Sequence, residues 1–372
     1  MLINELPDDC FLEIFDYIQD LKDLINCFKV CIKWRNLIAT RIKKVKYFID
    51  QPNYSPDSVC HQTDEPIDVT FLSKWLPNLR IVDVLLKTPK EDIAKLIRGT
   101  ESLKGIMCYG YSDFALSTNI EMLSISFIHP DIDLKQIKIN ETVKQINFWN
   151  STLGEFKEVA HYFPNLERVK INIRCLLDYV PYGSNDSVLE NLKIVESAEY
   201  SDTCSSFVFI DLCPALQSAH LKIASQYLTV NDSIKCTNLQ DLVIEFGQPI
   251  EWNDIWRLMS KYPNLKHLAI KGTYLRAEHI KQLILILPKL ILLDAREAYK
   301  VTQEAANHVQ DYCEQHGRSI KFYFKKDDKQ IEADWPQILN RPKKICRGFD
   351  FMEHCFFKRF NDLPDLLDPI DD

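Results

Sequence analysis

The chain has 372 residues, room for two or three domains at roughly 150 residues each or for one repeat array. Hydrophobic residues make up 46% and charged residues 26%, which excludes a disordered chain and supplies ample core. Lys and Arg number 45 against 53 Asp and Glu, giving a net charge of −8 with 9 glycines, so a basic polyanion binder is disfavoured, and neither GxGxxG nor GxxxxGK[ST] occurs.

Residues 6–45 read as three close helices. Pro7 suits a first helical position, and Asp8 and Asp9 then face the positive end of the helix dipole. Phe11, Ile14, Phe15 and Ile18 recur at helical spacing, as do Leu21, Leu24, Ile25 and Phe28, then Trp34, Leu37, Ile38 and Ile42. A unit this small must lean on another domain or a partner. The basic run RIKKVK from Arg41 reads as the solvated end of the third helix. Cys27 and Cys31, four residues apart, read as sharing a face of the second helix as buried thiols.

The string LPDDCFLEIFDYIQDLKDLINCFKVCIKWRNLI resembles the F-box motif at Leu6, Pro7, Ile14, Phe15, Leu24, Val30, Cys31 and Trp34. Lys33 stands where many members have Arg. The resemblance covers about residues 2–45. It implies that the three helices dock onto the Skp-family adaptor of a cullin–RING ubiquitin ligase, with those eight residues carrying the contact.

Residues 50–68, with three prolines and little apolar periodicity, read as a surface linker. A repeat follows. The pattern apolar-x-x-apolar-x-apolar begins at Leu79, Leu103, Ile120, Val143, Leu166, Leu192, Leu216, Leu239, Leu265 and Leu290, at intervals of 17 to 26 residues. Several copies begin Pro-Asn-Leu. Short amphipathic segments, such as EDIAKLI at Glu91 and AEHIKQLILIL at Ala277, precede many copies and stop at or before a proline. The unit looks like the leucine-rich repeat, which implies parallel strands on a concave side and helices on a convex side. That family often places Asn or Cys eight residues after the leading apolar residue. Here those positions hold Lys87, Tyr111, Ser151, Arg174, Ala224, Gly247, Thr273 and Ala298, so the usual ladder is absent.

The expected fold class is therefore α/β: a three-helix F-box over 1–45, a linker with a candidate capping half-repeat over 46–69, and about ten to eleven irregular repeats over 70–326. A tail or cap with an acidic end follows over 327–372. A longer helix at TQEAANHVQDYCEQHG ends at Gly317, which suits a left-handed cap, and Ile320 lies on the last strand. The tail holds Trp335, Phe349, Phe351, Phe356, Phe357 and Phe360, too aromatic for a free segment. It is expected to cap the last repeat, with a return into the concave face as the alternative. RPKKICR at Arg341 reads as a solvated loop.

Strand alternation points the third and fifth residues of each repeat onto the concave face. The pairs run from Gln145 and Asn147, through Arg168 and Lys170, Ile194 and Glu196, Ser218 and His220, Asp241 and Val243, and His267 and Ala269, to Leu292 and Asp294. Asn147, Arg168, Lys170, His220, Asp241, His267 and Asp294 are the expected substrate-binding set. Its loosely positive stripe suits an acidic or phosphorylated segment.

Catalytic signatures are missing: there is no HExxH, no GxSxG and no kinase string. His308, Cys313 and His316 do not share one helix face, and the neighbours His354 and Cys355 have no orienting third group. No metal, cofactor or catalytic residue is expected. The 12 cysteines contain no CxxC pair and read as free thiols of a reducing compartment. No secretory signal or membrane span is apparent, so Asn-x-Ser/Thr strings at Asn53, Asn140, Asn150, Asn185 and Asn231 read as chance matches. The expected function is a non-catalytic substrate receptor of an SCF-type ubiquitin ligase, cytoplasmic and/or nuclear. It would bind a Skp-family adaptor and an unknown protein substrate for ubiquitination and proteasomal degradation, with no nucleic acid or membrane partner. The alternative is a leucine-rich-repeat scaffold with no ubiquitin role.

Overall fold

A computed structural model of the chain describes residues 5–52, 55–61, 69–84, 90–108, 119–125, 139–149, 153–173, 188–200, 204, 206–326 and 329–369. It divides into two compact units, residues 1–143 and 144–372.

The first unit opens with three helices, α1 (Asp8–Tyr17), α2 (Leu21–Phe28) and α3 (Ile32–Lys43). Pro7 is the extended N-cap of α1, and Asp8 and Asp9 occupy its first turn, which favours negative charge. Asp20 caps α2 by accepting from the Asp23 N–H. Phe11 and Phe15 are buried and meet Trp34 edge-on at centroid distances of 5.6 and 5.3 Å. Cys31 does not continue α2. Its backbone is extended (φ −160°) and its sulfur caps α3, accepting from the Trp34 N–H at 3.5 Å, so Cys27 and Cys31 share no helix.

Arg41, expected at a solvated helix end, is fully buried instead. Its guanidinium donates to the carbonyls of Phe15, Pro56 and Ser58 and pairs with Asp16 at 3.3 Å. A planar five-donor group can satisfy several carbonyls at once, so Arg41 ties α1 and α3 to the segment after them. That segment was expected to be a linker, yet it contains a buried strand. β1 (Tyr47–Ile49) pairs in parallel with β2 (Ser58–Cys60) and with β3 (Ile81–Asp83). β4 (Gly105–Cys108) and β5 (Met122–Ile125) follow in parallel, giving the order β2-β1-β3-β4-β5. Helices α4 (Val69–Trp75) and α5 (Lys90–Gly99) precede β3 and β4.

The second unit places β6 (Gln145–Trp149), β7 (Arg168–Ile173), β8 (Ile194–Glu199), β9 (Ser218–Ile223), β10 (Asp241–Phe246), β11 (His267–Lys271), β12 (Leu292–Asp294) and β13 (Lys321–Tyr323) side by side in chain order. Neighbouring strands pair in parallel. Helices α6 (Leu153–Val159), α7 (Ser206–Asp211), α8 (Trp252–Met259), α9 (Ala277–Ile286) and α10 (Gln303–His316) fill the connections. Gly317 ends α10 at φ 63°, as its sequence position suggests. Gly272 at φ 74° turns tightly against Phe246, where a Cβ would meet the carbonyl oxygen at 2.0 Å. In each unit the strands are parallel and helix-connected, as in leucine-rich repeats, and the chain opens with three helices.

The ten leading apolar residues from Leu79 to Leu290 are all buried. Each sits two positions before its strand, from Leu79 before Ile81 to Leu290 before Leu292. The missing ladder eight residues on is replaced by one immediately before the leading residue. Asn78, Asn191, Asn238 and Asn264 donate to the carbonyls of Lys43, Pro164, Pro214 and Thr237 at 2.7–3.0 Å. Of the old ladder positions, Lys87, Tyr111, Ser151 and Arg174 lie outside the described residues. So do Asn53, Asn150 and Asn185 of the Asn-x-Ser/Thr strings. Asn140 and Asn231 instead close local turns, accepting from the N–H groups of Thr142 and Ser233.

Beneath the second unit's strands, Lys261 is fully buried and contacts both Asp211 oxygens at 2.6 and 2.8 Å. Burial pushes the Asp211 carboxyl up, and Lys261 opposes that shift. Removing one member of such a pair leaves an uncompensated charge. Lys261→Ala should cost about 3–5 kcal/mol in this unit's unfolding free energy, read by chemical denaturation. The double change Lys261→Met/Asp211→Leu should recover most of it. A Lys261→Ala midpoint equal to the parent's would show that the pair is not structural.

Candidate functional site

Two surfaces carry the side chains singled out by sequence. In the first unit, the eight F-box positions divide by burial. Phe15 and Leu24 lie in the core of the three helices. Leu6, Cys31 and Trp34 are half-buried. Pro7 is exposed, as are Ile14 (44%) and Val30 (58%). Two residues not singled out, Tyr17 (75%) and Ile32 (74%), are exposed as well. Single exposed apolar residues are ordinary, but four large ones fall within residues 14–32 of this small helical unit. Lys33 donates to the Leu6 carbonyl at 2.9 Å and pairs with Asp8 at 3.1 Å, fixing the entry to α1.

In the second unit, strand register sets rows of equivalent residues. One row runs Gln145, Arg168, Ile194, Ser218, Asp241, His267, Leu292 and Lys321. The next runs Asn147, Lys170, Glu196, His220, Val243, Ala269, Asp294 and Tyr323. These are the third and fifth positions read from sequence, but the expected open strip is covered by the chain's own C-terminal segment. The start of the tail packs on the last strand, where Asp334 accepts from the Tyr323 hydroxyl at 2.6 Å and Trp335 donates to that hydroxyl at 3.2 Å; the rest takes the alternative course, over the strand face. Phe351, Cys355, Phe356, Phe360, Leu363 and Leu367 pack with Ile194, Ala198, Val243, Ala269, Leu292 and Tyr323 in one buried cluster. The RPKKICR stretch is not simply a solvated loop either. It contributes β14 (Ile345–Arg347), which pairs in parallel with β15 (Leu366–Asp368), and Ile345 and Cys346 are buried.

Polar bonds complete the cover. Arg168, 1% exposed, pairs with Glu196 at 2.6 Å and donates to the carbonyls of Pro364 at 2.8 Å and Asp365 at 3.0 Å. Lys170 reaches the Leu363 carbonyl at 2.9 Å and the Asp365 carboxylate at 2.8 Å. Gln145 clasps Leu367 from both sides, donating to its carbonyl at 2.5 Å and accepting from its N–H at 3.2 Å. The second Glu196 oxygen accepts from the Cys355 thiol at 3.0 Å. Burial, and then Glu196 beside it, pushes that thiol well up, so it remains a donor.

His220 is fully buried and lies 3.1 Å from Glu245. Glu245 also accepts from the Phe360 N–H at 2.9 Å, and Lys271 donates to the Lys358 carbonyl at 2.6 Å. Burial holds His220 below the usual imidazole value, although Glu245 opposes this. The other ring nitrogen, Nδ1, has no hydrogen-bond partner among the described residues. A neutral ring donating from Nε2 fits both facts. Burial would raise Glu245, but the His220 hydrogen bond, then Lys271 and the Phe360 N–H, hold it well below the usual carboxylate value. Asp241 is held by Ser218 and His267, each at 2.6 Å, and Asp294 by a two-point bond from Arg296. Six of the seven expected binding residues are thus bonded within the protein in separate groups, and the seventh, Asn147, is buried in register with Lys170.

Sequence reasoning named Gln145 and Glu196 as facing this side but not as members of the site. It did not extend to Glu245 and Lys271. The signal for those two was one further step of two along β10 and β11. Among the described residues no group of three or more His, Cys, Asp or Glu could hold a metal ion, and no helix is long and apolar enough to cross a membrane.

The F-box-like family model matches residues 3–43. Among solved structures, a crystal structure of a TLR13–ssRNA13 complex is similar at a TM-score of 0.39 and 16% identity, over 68% of this chain and 43% of that one. The chain thus spans less than half of that protein's length. No curated protein matches the chain.

The buried His220–Glu245 pair makes the covered face acid-sensitive. Unfolded imidazole takes up a proton near pH 6.5, and native His220 does so at lower pH. The unfolded state then binds more protons, so stability falls as pH drops below about 6.5. Glu245 adds a second loss as pH falls below 4.5 toward its lowered native value. The melting temperature should decline from pH 7 to pH 5, and His220→Gln, which can still donate to Glu245, should flatten that slope. An unchanged slope in the variant would place the sensitivity elsewhere.

Proposed function

We propose that this protein is a non-catalytic substrate receptor of an SCF-type ubiquitin ligase, acting in the cytoplasm and/or nucleus. The reading is carried by the F-box-like match over residues 3–43, which coincides with three helices presenting Pro7, Ile14, Tyr17, Val30 and Ile32 to solvent. F-box domains generally bind Skp-family adaptors. The exposed apolar residues are the docking surface, while Phe15 and Leu24 shape it from beneath. The repeat units, with parallel strands and helical connections, supply protein-binding surface. Such a receptor needs no catalytic group of its own. It raises the local concentration of a bound substrate's lysines at the charged transferring enzyme, leading to ubiquitination and proteasomal degradation.

The burial pattern decides which substitutions test this. Trp34→Ala removes both packing and contact, whereas Ile14→Asp and Val30→Asp alter exposed positions. Truncating a central interface residue commonly costs about 2 kcal/mol or more, and placing a carboxylate in a desolvated interface costs more. The Ile14→Asp/Val30→Asp protein should melt as the parent does and lose the adaptor in a pull-down. Retention of the adaptor by that variant would refute the docking assignment. A parent chain that captures no Skp-family adaptor would leave a repeat scaffold as the function.

A further inference from the structure

Residues 351–360 are held by packing, through Phe351, Phe356 and Phe360, and by bonds of Cys355, Lys358 and Phe360 to Glu196, Lys271 and Glu245. Residues 363–367 combine packing of Leu363 and Leu367 with a polar clasp on β6 and β7, and most of the clasp's bonds go to main chain. Gln145 grips both peptide groups of Leu367, Arg168 takes the carbonyls of Pro364 and Asp365, and Lys170 takes that of Leu363. Bonds to main chain do not depend on which residues the peptide carries. Beside the clasp, β14 offers its edge to β15, in the manner of strand addition.

The sequence-dependent part is small and specific. Lys170 pairs with Asp365 at 2.8 Å and is itself 7% exposed. Arg168 is already neutralised by Glu196. An incoming peptide without an acid at the register of Asp365 would leave Lys170 buried and unpaired, which is costly. Leu366 and Leu367 are fully buried, and Pro364 has no N–H to satisfy.

We propose that the Gln145–Arg168–Lys170 clasp is a recognition site for an extended Leu-Pro-Asp-Leu-Leu-type segment of a partner protein, and that residues 363–368 are its resident competitor. The incoming segment would replace each bond of the clasp with an equivalent one and add beside β14. Exchange of like for like carries little net cost, so occupancy is set by the relative concentrations of the two segments. This rests on reading the repeats as protein-binding surface and is independent of the adaptor.

The test uses the full-length chain and a fluorescein-labelled peptide, Asn-Asp-Leu-Pro-Asp-Leu-Leu-Asp, with a control carrying Lys in place of the central Asp. Leu366→Asp weakens the resident segment without touching the clasp. It should bind the first peptide at least about tenfold more tightly than the parent does, as a removed competitor requires. Lys170→Met on that background should abolish the preference for the Asp peptide over the Lys peptide. Near-ultraviolet circular dichroism reports whether Leu366→Asp keeps its tertiary packing. Should it unfold, the unmodified chain with a benzophenone-bearing peptide in excess should cross-link within residues 145–170. Equal binding by parent and folded Leu366→Asp, equal binding of both peptides, or no cross-link there would overturn the proposal. The Ile14→Asp/Val30→Asp protein should bind the peptide as the parent does, so failure of adaptor docking and failure of the clasp are told apart.

Discussion

One buried ion pair organises the second unit. Arg168 and Glu196 sit on adjacent strands, at 1% and 0% side-chain exposure, with 2.6 Å between them. Two charges out of water are tolerable when their remaining donors and acceptors are filled. The C-terminal segment does most of the filling. Carbonyls of Pro364 and Asp365 take donors of both terminal Arg168 nitrogens, leaving only Nε without a hydrogen-bond partner among the described residues, and the Cys355 thiol takes the other Glu196 oxygen. The concave face and the segment over it are therefore one structure. A bare face would expose Val243, Ala269 and Leu292, leave Lys170 without Asp365 and strip the Pro364 and Asp365 carbonyls from Arg168.

A different constraint builds the rows themselves. No repeat can bury both faces of its strand, so each depends on its neighbours. Parallel register then brings equal positions side by side, which is why a charged residue on one strand meets a charged residue on the next. The Asn-Leu pair sets the spacing: the asparagine bonds back to the preceding connection and the leucine enters the core, and at Pro263 the residue before them is a proline that cannot continue the helix. In the first unit, Asn78 makes the same bond to Lys43, and Arg41 ties the helices to the segment at Pro56 and Ser58.

Local pattern made much of this legible. The three helices, the ten leading apolar residues, the strand register and the Gly317 cap all follow from periodicity or one residue's backbone preference. So do the residues that face the concave side. What escaped depends on contacts distant in sequence. Arg41 lies in a basic run that looks solvated, and its burial is decided by Pro56 and Ser58. The strand Ser58–Cys60 is too short to show alternation. Arg168 and Lys170 read as an open positive stripe because their partners lie more than 190 residues later. Aromatic content predicted that the tail would pack, but not where.

Amide hydrogen exchange on the unmodified full-length chain measures the cover most directly. The N–H of Leu367 bonds to Gln145, and those of Asp365 and Leu366 bond to the Lys344 carbonyl. If the segment closes the concave face, these amides should exchange slowly, with protection comparable to those of β7 and β8. Exchange of residues 363–368 at the rate of a free peptide, while β7 and β8 remain protected, would contradict the covered face.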